Sequence, residues 1–143
     1  MKLQTVIAMS VNNFNYRIYY EDTDAQGVVY YANYLKFFER ARTDYLRDLE
    51  ISQSQLIKEE NIIFVVRRCE IDYFRPAKLD DMLNIDVQIK EVTSTRIKML
   101  QNASVSDKIL NTLNVEIVCV DSKNYRPTAI PQILKQILES HVR

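Results

Sequence analysis

Between Tyr30 and about Leu49 the chain carries one long helical pattern, and from Ile62 to Val120 nearly every apolar cluster reads as a strand. In the first stretch Tyr34, Leu35, Phe38, Ala41, Tyr45, Leu46 and Leu49 recur at helical spacing. Lys36, Arg40, Asp44 and Arg47 occupy the other side. Before it, FNYRIYY (14–20) is aromatic and β-branched, as a strand should be. After it, Ser52 and Gln55 have the spacing of a helix-capping pair, so a short helix is predicted there. Strands are then predicted over 62–74, 83–90, 95–105 and 109–120, with a hairpin turn at Ser106-Asp107-Lys108. In 83–90 the alternation is clean: Leu83, Ile85, Val87 and Ile89 against Asn84, Asp86, Gln88 and Lys90. Pro127 and Pro131 bracket a loop, and Ile133, Leu134, Ile137 and Leu138 predict a closing helix. Short links between the later strands make them antiparallel neighbours. The expectation is an α+β, two-layer fold: one long helix against a five-stranded antiparallel sheet. A sheet covered by a single helix has a face and an edge to protect, and self-association is the usual answer.

Composition narrows the chemistry. Lys+Arg and Asp+Glu balance at 19 each, so no net positive field favours nucleic acid, and no polybasic run marks a membrane surface. No run approaches the roughly 18 apolar residues of a membrane span. The N-terminal apolar run is too short and interrupted for a secretory leader, and a cytoplasmic protein is expected. Residues 1–13 read as an N-terminal extension and 14–143 as one domain. Cys69 and Cys119 sit in strand-like runs without metal-ligand spacing and are read as reduced packing residues. The only histidine, His141, lies near the C-terminus on what is expected to be a frayed tail. Ser-His-Asp and Cys-His triads and histidine metal sites are thereby excluded. Any catalysis has to use carboxylates, hydroxyls, cations and backbone N–H groups, with no metal or cofactor expected.

The only glycine, Gly27, stands in an acidic turn with Glu21, Asp22 and Asp24, directly before the helical pattern. An average chain of this length carries about ten glycines. One retained here implies a backbone shape that side chains resist. A carboxylate beside a helix N-terminus is a plausible catalytic pair: one group attacks or takes a proton, the other binds developing negative charge. The bland alternative is that Asp22 and Asp24 only cap a helix or shape a turn. Asp22-Thr23-Asp24-Ala25-Gln26-Gly27 also imitates the start of a calcium loop. Position 12 of such a loop would be Asn33, not the bidentate glutamate, and calcium is rejected.

The run Tyr20-Glu21-Asp22-Thr23-Asp24-Ala25-Gln26-Gly27-Val28-Val29-Tyr30-Tyr31-Ala32-Asn33-Tyr34, followed by Phe38-Glu39-Arg40-Ala41-Arg42, closely resembles the hotdog-fold acyl-CoA thioesterases. The branch is the 4-hydroxybenzoyl-CoA thioesterase family, and within it the YbgC-like, Tol–Pal-associated enzymes. Phe64-Val65-Val66-Arg67-Arg68 and Arg75-Pro76-Ala77-Lys78-Leu79-Asp80-Asp81 extend the likeness over about residues 14–135. The resemblance implies a long helix wrapped by an antiparallel sheet, in dimers that often stack into tetramers, with the cleft between subunits. It implies hydrolysis of an acyl-CoA thioester, with acyl-carrier protein as an alternative donor. It places the catalytic aspartate on Asp24 and the carbonyl-polarising backbone N–H on Tyr31. Many relatives in the branch carry histidine at position 31, so the tyrosine bears on acyl preference and argues against a required imidazole. Clustered basic residues that hold CoA phosphates elsewhere in the wider family are thinned here to Val92-Thr93-Ser94-Thr95-Arg96.

Gly27, Val28 and Val29 are candidate substrate contacts on the loop. Glu39 lies two helical turns beyond Tyr31 and is a candidate to orient water or substrate. Its bland reading is an ion pair with Arg42 or Lys36. Arg67 and Arg96 are candidates for CoA phosphates. Arg67 and Arg68 point to opposite sheet faces, so only one of them serves. The nine tyrosines are read mostly as core, sheet or interface material. The competing functional classes are a non-catalytic acyl-chain or acyl-carrier binding module and a structural partner in an envelope or lipid-synthesis complex. Asp24 discriminates, because a binding module has no use for that carboxylate. A hotdog dehydratase is disfavoured by the missing histidine.

Overall fold

The long helical pattern folds as a 3-10 turn, Tyr31–Asn33, leading into α1, Tyr34–Asp48. In the computed structural model, which describes residues 12–143, the chain begins with β1 (Asn13–Arg17). A 3-10 turn (Tyr20–Asp22) and α1 follow. A short helix, α2 (Gln53–Gln55), then runs into a π-helical turn, Leu56–Glu60. The strands β2 (Ile62–Tyr73), β3 (Met82–Asp86), β4 (Gln88–Val92), β5 (Arg96–Val105) and β6 (Lys108–Asp121) come next, and α3 (Gln132–Ser140) closes the chain. The strand order is β1-β3-β5-β6-β2, with β4 also paired to β5. β2 is therefore an edge strand of 12 residues.

Among the described residues the sheet has six strands where five were expected, because the predicted 83–90 strand is interrupted at Val87. Its N–H donates to the Asn12 carbonyl at 2.9 Å. Its carbonyl accepts from Asn12 Nδ2 at 3.2 Å. Asn12 thus takes both main-chain groups of Val87 out of the ladder. β3 then meets β5 through Asn84↔Ser104 and Ile85↔Ala103. β4 meets it through Gln88↔Leu100 to Val92↔Ile97, with a register shift between Ile89 and Glu91. The N-terminal extension expected over 1–13 lies outside the described residues except for Asn12 and Asn13. These belong to the fold: Asn12 is buried and Asn13 opens β1.

The first predicted strand ends early, at Arg17. Ile18 is fully buried and is held by main-chain bonds to Asp80 and Asp81, after which Tyr19 and Tyr20 turn outward. Ser52 caps α2 as predicted, accepting the Gln55 N–H at 3.3 Å. Ser106 and Asp107 both take positive φ, +49° and +67°, the geometry of a tight hairpin turn. The tail is pinned rather than frayed. Val142 bridges Ile89, and the Arg143 N–H reaches the Ile89 carbonyl at 2.9 Å.

The chain forms two compact units. The first comprises the chain to Tyr45, Ile71–Val87 and Gln101–Leu113. Within it α1 lies on the sheet. Tyr16 of β1 hydrogen-bonds Asp44, and its ring lies 6.0 Å from Phe37. Gln101 of β5, fully buried, donates to the Phe38 carbonyl at 3.1 Å and accepts from Arg42 at 3.0 Å. The buried side of α1 here is Tyr34, Phe37, Phe38, Ala41 and Tyr45. Leu35, expected on that side, is exposed, and Phe37 replaces it. Position 37 completes the i, i+3, i+4, i+7 set from Tyr34, whereas 35 falls a hundred degrees away. The second unit comprises Leu46–Glu70, Gln88–Leu100 and Asn114–Arg143. Its buried set includes Ile51, Ile62, Ile89, Ile97, Val115, Ile117, Cys119 and, from α3, Leu134 and Leu138. Both cysteines are free. Cys119 packs as expected, but Cys69 is exposed on edge strand β2.

Candidate active site

The acidic turn is a small hairpin. Asp24 and Val28 close it, with the Asp24 N–H on the Val28 carbonyl at 2.8 Å and the Gly27 N–H on the Asp24 carbonyl at 3.0 Å. Thr23 and Val29 pair one step further out. The loop is thus Ala25-Gln26-Gly27, a turn followed by a left-handed residue, and Gly27 takes φ +81°. A Cβ placed on Gly27 would meet nothing within 4 Å. Backbone shape, not crowding, is what calls for glycine here. Among the described residues six others, from Glu50 to Tyr125, hold positive φ without being glycine.

Asp24 is half-buried. Its Oδ1 accepts the Gln26 N–H at 2.8 Å. One carboxylate oxygen thus shapes the turn, and no described hydrogen bond uses Oδ2. Asp22 plays the structural part expected of it: its Oδ2 accepts the Tyr19 N–H at 2.8 Å.

The loop is tied directly to the start of the helix. The Asp22 carbonyl accepts the Tyr30 N–H at 3.1 Å and Asn33 Nδ2 at 3.0 Å. The Asn33 N–H in turn donates to the Tyr30 carbonyl at 2.8 Å. Tyr31 is the first residue of the helical turn, so its N–H has no intrahelical acceptor. None of the surrounding turn and loop bonds uses it. A negative oxygen placed there would meet an unspent donor and the positive end of the helix.

Ala77 braces the arrangement. Its carbonyl accepts the Val29 N–H at 2.9 Å, and its N–H donates to the Tyr34 hydroxyl at 3.0 Å. Val29 is buried and Val28 pairs with Lys78, so the loop's exit is held by the Ala77-Lys78 segment. Burial raises the Tyr34 phenol pKa and nearby Asp81 adds to the rise, while the Ala77 N–H opposes it. The phenol is neutral at physiological pH. Four of the nine tyrosines gather at this point. The Tyr30 and Tyr31 rings lie 4.9 Å apart, Tyr31 and Tyr73 6.2 Å, and Tyr34 and Tyr73 5.8 Å. The sequence reading assigned such residues to core or interface. Ala77 was visible only within the family-like run, and nothing in the spacing pointed to Tyr73.

Glu39 is exposed and accepts from Thr43 Oγ1 at 2.9 Å, one turn along α1. Arg42, one of its expected ion-pair partners, makes a buried bond to Gln101 at 3.0 Å. Arg67 and Arg96 belong to the second unit and share one carboxylate, Glu116. Arg96 lies at 3.1 Å and Arg67 at 3.5 Å from it. Two guanidinium groups on one nearly buried carboxylate leave a net positive charge. Arg68 pairs instead with Glu70 at 3.6 Å, two residues along β2 and so on one sheet face with it.

The thioesterase-like superfamily model matches residues 19–138. An acyl-CoA thioesterase, YbgC, of Haemophilus influenzae is 45% identical over 123 residues, covering 86% of this chain and 90% of that one. The YbgC acyl-CoA thioesterase of Helicobacter pylori is 38% identical over 134 residues, covering 87% and 97%. The crystal structure of a probable thioesterase from Bartonella henselae superposes with a TM-score of 0.80 at 38% identity, covering 83% of this chain and 98% of that one. The acidic hairpin, the helix start and strands β2 to β6 all fall inside the matched span, and the chain belongs to the thioesterase-like superfamily as a YbgC-like member with the hotdog fold.

Proposed function

We propose that this protein is an acyl-CoA thioesterase, hydrolysing the acyl–sulfur bond to a free acid and a thiol. Asp24 acts as nucleophile or general base, and the Tyr31 backbone N–H as oxyanion donor. The observation that carries the site is the tie between the two. Asp22, two residues before Asp24, holds the Tyr30 N–H and Asn33 Nδ2 on one carbonyl. The loop that carries Asp24 and the helix start are therefore tied at one main-chain oxygen. The relatives named as acyl-CoA thioesterases support the substrate class.

A thioester carbonyl is already activated, so a triad is unnecessary. As a nucleophile, an Asp24 oxygen adds to the acyl carbon, the thiolate leaves, and water cleaves the resulting anhydride. As a base, Asp24 takes a proton from the attacking water. In both routes negative charge builds on the carbonyl oxygen. A positioned N–H there lowers the barrier by roughly 3 kcal/mol. Val28 and the open space beside Gly27 form the approach for the acyl group, while Val29 is buried and backs the loop. Glu39 orients water or substrate from α1. Arg67 and Arg96 attract the phosphates of the CoA moiety, and acyl-carrier protein is an alternative donor.

The working state is a homo-oligomer, a dimer at least and a tetramer in the fuller assembly. Edge strand β2 supports this: Val66, Tyr73 and Phe74 are large apolar residues exposed on or just after it. No described helix is long and apolar enough to cross a membrane. The two free thiols support a cytoplasmic site of action. The test is a panel of short, long and aromatic acyl-CoA esters with a thiol reagent, beside light scattering. Steady thiol release from an oligomer is expected. Tight acyl-CoA binding without turnover of any ester would make this a binding module instead.

A further inference from the structure

Tyr73, the last residue of β2, donates its phenol O–H to the Tyr31 main-chain carbonyl at 2.9 Å. Its ring meets the Tyr31 ring edge-on and also reaches the Tyr34 ring. The helix start is thus gripped at two consecutive carbonyls: Tyr30 by the Asn33 N–H, and Tyr31 by Tyr73. Fixing the carbonyls on both sides of the Tyr31 α-carbon fixes the planes of both peptide units that meet there. One of those planes carries the Tyr31 N–H. The carbonyl of that same unit, Tyr30's, accepts a hydrogen bond, which polarises the N–H further. Without Tyr73 the turn keeps its Asn33 bond but loses the second anchor, and the N–H can tilt away from the line to an oxyanion.

We propose that Tyr73 is a positioning residue for the oxyanion donor: its phenol holds the Tyr31 carbonyl, in the peptide unit next to the one that carries the Tyr31 N–H, and through the shared Tyr31 α-carbon steadies the turn that aims that N–H. The proposal rests on the reading of Tyr31 as that donor. It concerns aim rather than binding, because a misdirected donor weakens charge stabilisation in the transition state more than substrate affinity.

Tyr73→Phe keeps both ring contacts and removes the phenol O–H together with the hydrogen bond it donates to Tyr31. One neutral hydrogen bond corresponds to about a three- to tenfold change. With a turned-over acyl-CoA ester, kcat should fall by that factor, with KM within about twofold and the melting temperature within about 3 °C of the parent. In a Tyr31→Pro background the same change should cost nothing further, since the donor is already gone. Tyr30 has φ −60° and ψ 129°, which suits a residue preceding proline, so Tyr31→Pro is compatible with the turn. Asp24→Asn runs alongside. If Asp24→Asn or folded Tyr31→Pro keeps parental turnover, the reading of the site fails. If both are inactive while Tyr73→Phe has parental kcat, the site stands and the role of Tyr73 is overturned. A fall in kcat together with a more than twofold rise in KM and a melting temperature more than about 3 °C lower would also overturn it, marking Tyr73 as a packing residue.

Discussion

Replacing Asp24 by asparagine separates chemistry from architecture. The turn is closed by main-chain bonds, Asp24 N–H to Val28 and Gly27 N–H to Asp24, which no side-chain change touches. The side chain adds one bond, Oδ1 accepting the Gln26 N–H at 2.8 Å, and an asparagine carbonyl oxygen can accept it equally well. What is lost there is charge assistance, about 1 kcal/mol, or roughly 2–4 °C in melting temperature. A domain with about 5–15 kcal/mol of stability remains folded after such a change. The loss of a positioned base or nucleophile is larger, at least about a hundredfold in turnover, equivalent to about 2.7 kcal/mol. The two effects therefore separate cleanly in a thiol-release assay run beside circular dichroism and size exclusion. Asp24→Ala should match Asp24→Asn in lost turnover but be the less stable protein, because it also abandons the Gln26 N–H. Asp22→Asn should stay active, since its amide oxygen can still accept from the Tyr19 N–H. A folded Asp24→Asn protein with turnover within about fivefold of the parent would refute the role of Asp24, leaving only the turn-shaping function its Oδ1 already performs.

Gly27→Asn should melt within about 2 °C of the parent and Gly27→Ala about 1 kcal/mol lower, because only the left-handed backbone resists them and asparagine tolerates it; a Gly27→Asn protein less stable than Gly27→Ala contradicts this. Asn111 is fully buried with neither amide atom bonded among the described residues, so Asn111→Leu should raise stability by about 1–3 kcal/mol in a urea melt, and a loss would show that the amide has a partner. Gln101→Leu breaks the bonds to Phe38 and Arg42 and should cost about 2–4 kcal/mol, or roughly 5–15 °C; an unchanged melt would mean that the bridge does not hold α1 to β5. Burial pushes the Cys119 thiol up to about 11 from an ordinary 9, so the folded state keeps its proton to higher pH than the unfolded chain. That contribution is intact below pH 9 and lost between pH 9 and 11, so the parent should lose melting temperature over this window more steeply than Cys119→Ala; parallel curves would refute it.

The stretches with a single period were legible from the chain. The helix after Tyr30, the cap at Ser52, the long strand from Ile62 and the 106–107 turn each follow from local propensity, spacing or turn chemistry, and the structure has them within a few residues. The family-like run from Tyr20 to Tyr34 likewise pointed to the fold and to the superfamily. It also led to Gly27, whose φ of +81° is a local requirement that a lone glycine can announce.

What spacing does not encode is where a main-chain group finds its partner. Val87 alternates as well as its neighbours, yet Asn12, 75 positions away in the chain, takes its hydrogen bonds and divides one predicted strand into two. Leu35 and Phe37 are both apolar, and which helix face meets Tyr16 and the sheet sets 37 inside and 35 outside. Arg42 reaches Gln101, 59 residues beyond it, and Thr43 donates to Glu39, and the helix spacing alone names neither Gln101 nor its depth. Tyr73 and Ala77 reach the helix start only because the chain returns there 42 and 43 positions later. Side-chain chemistry and local period are properties of the sequence, so the catalytic candidates and most elements were readable in it. The bracing of the Tyr31 turn by Tyr73, Ala77 and Asp22 depends on contacts over 8 to 48 positions, and only the folded chain decides those.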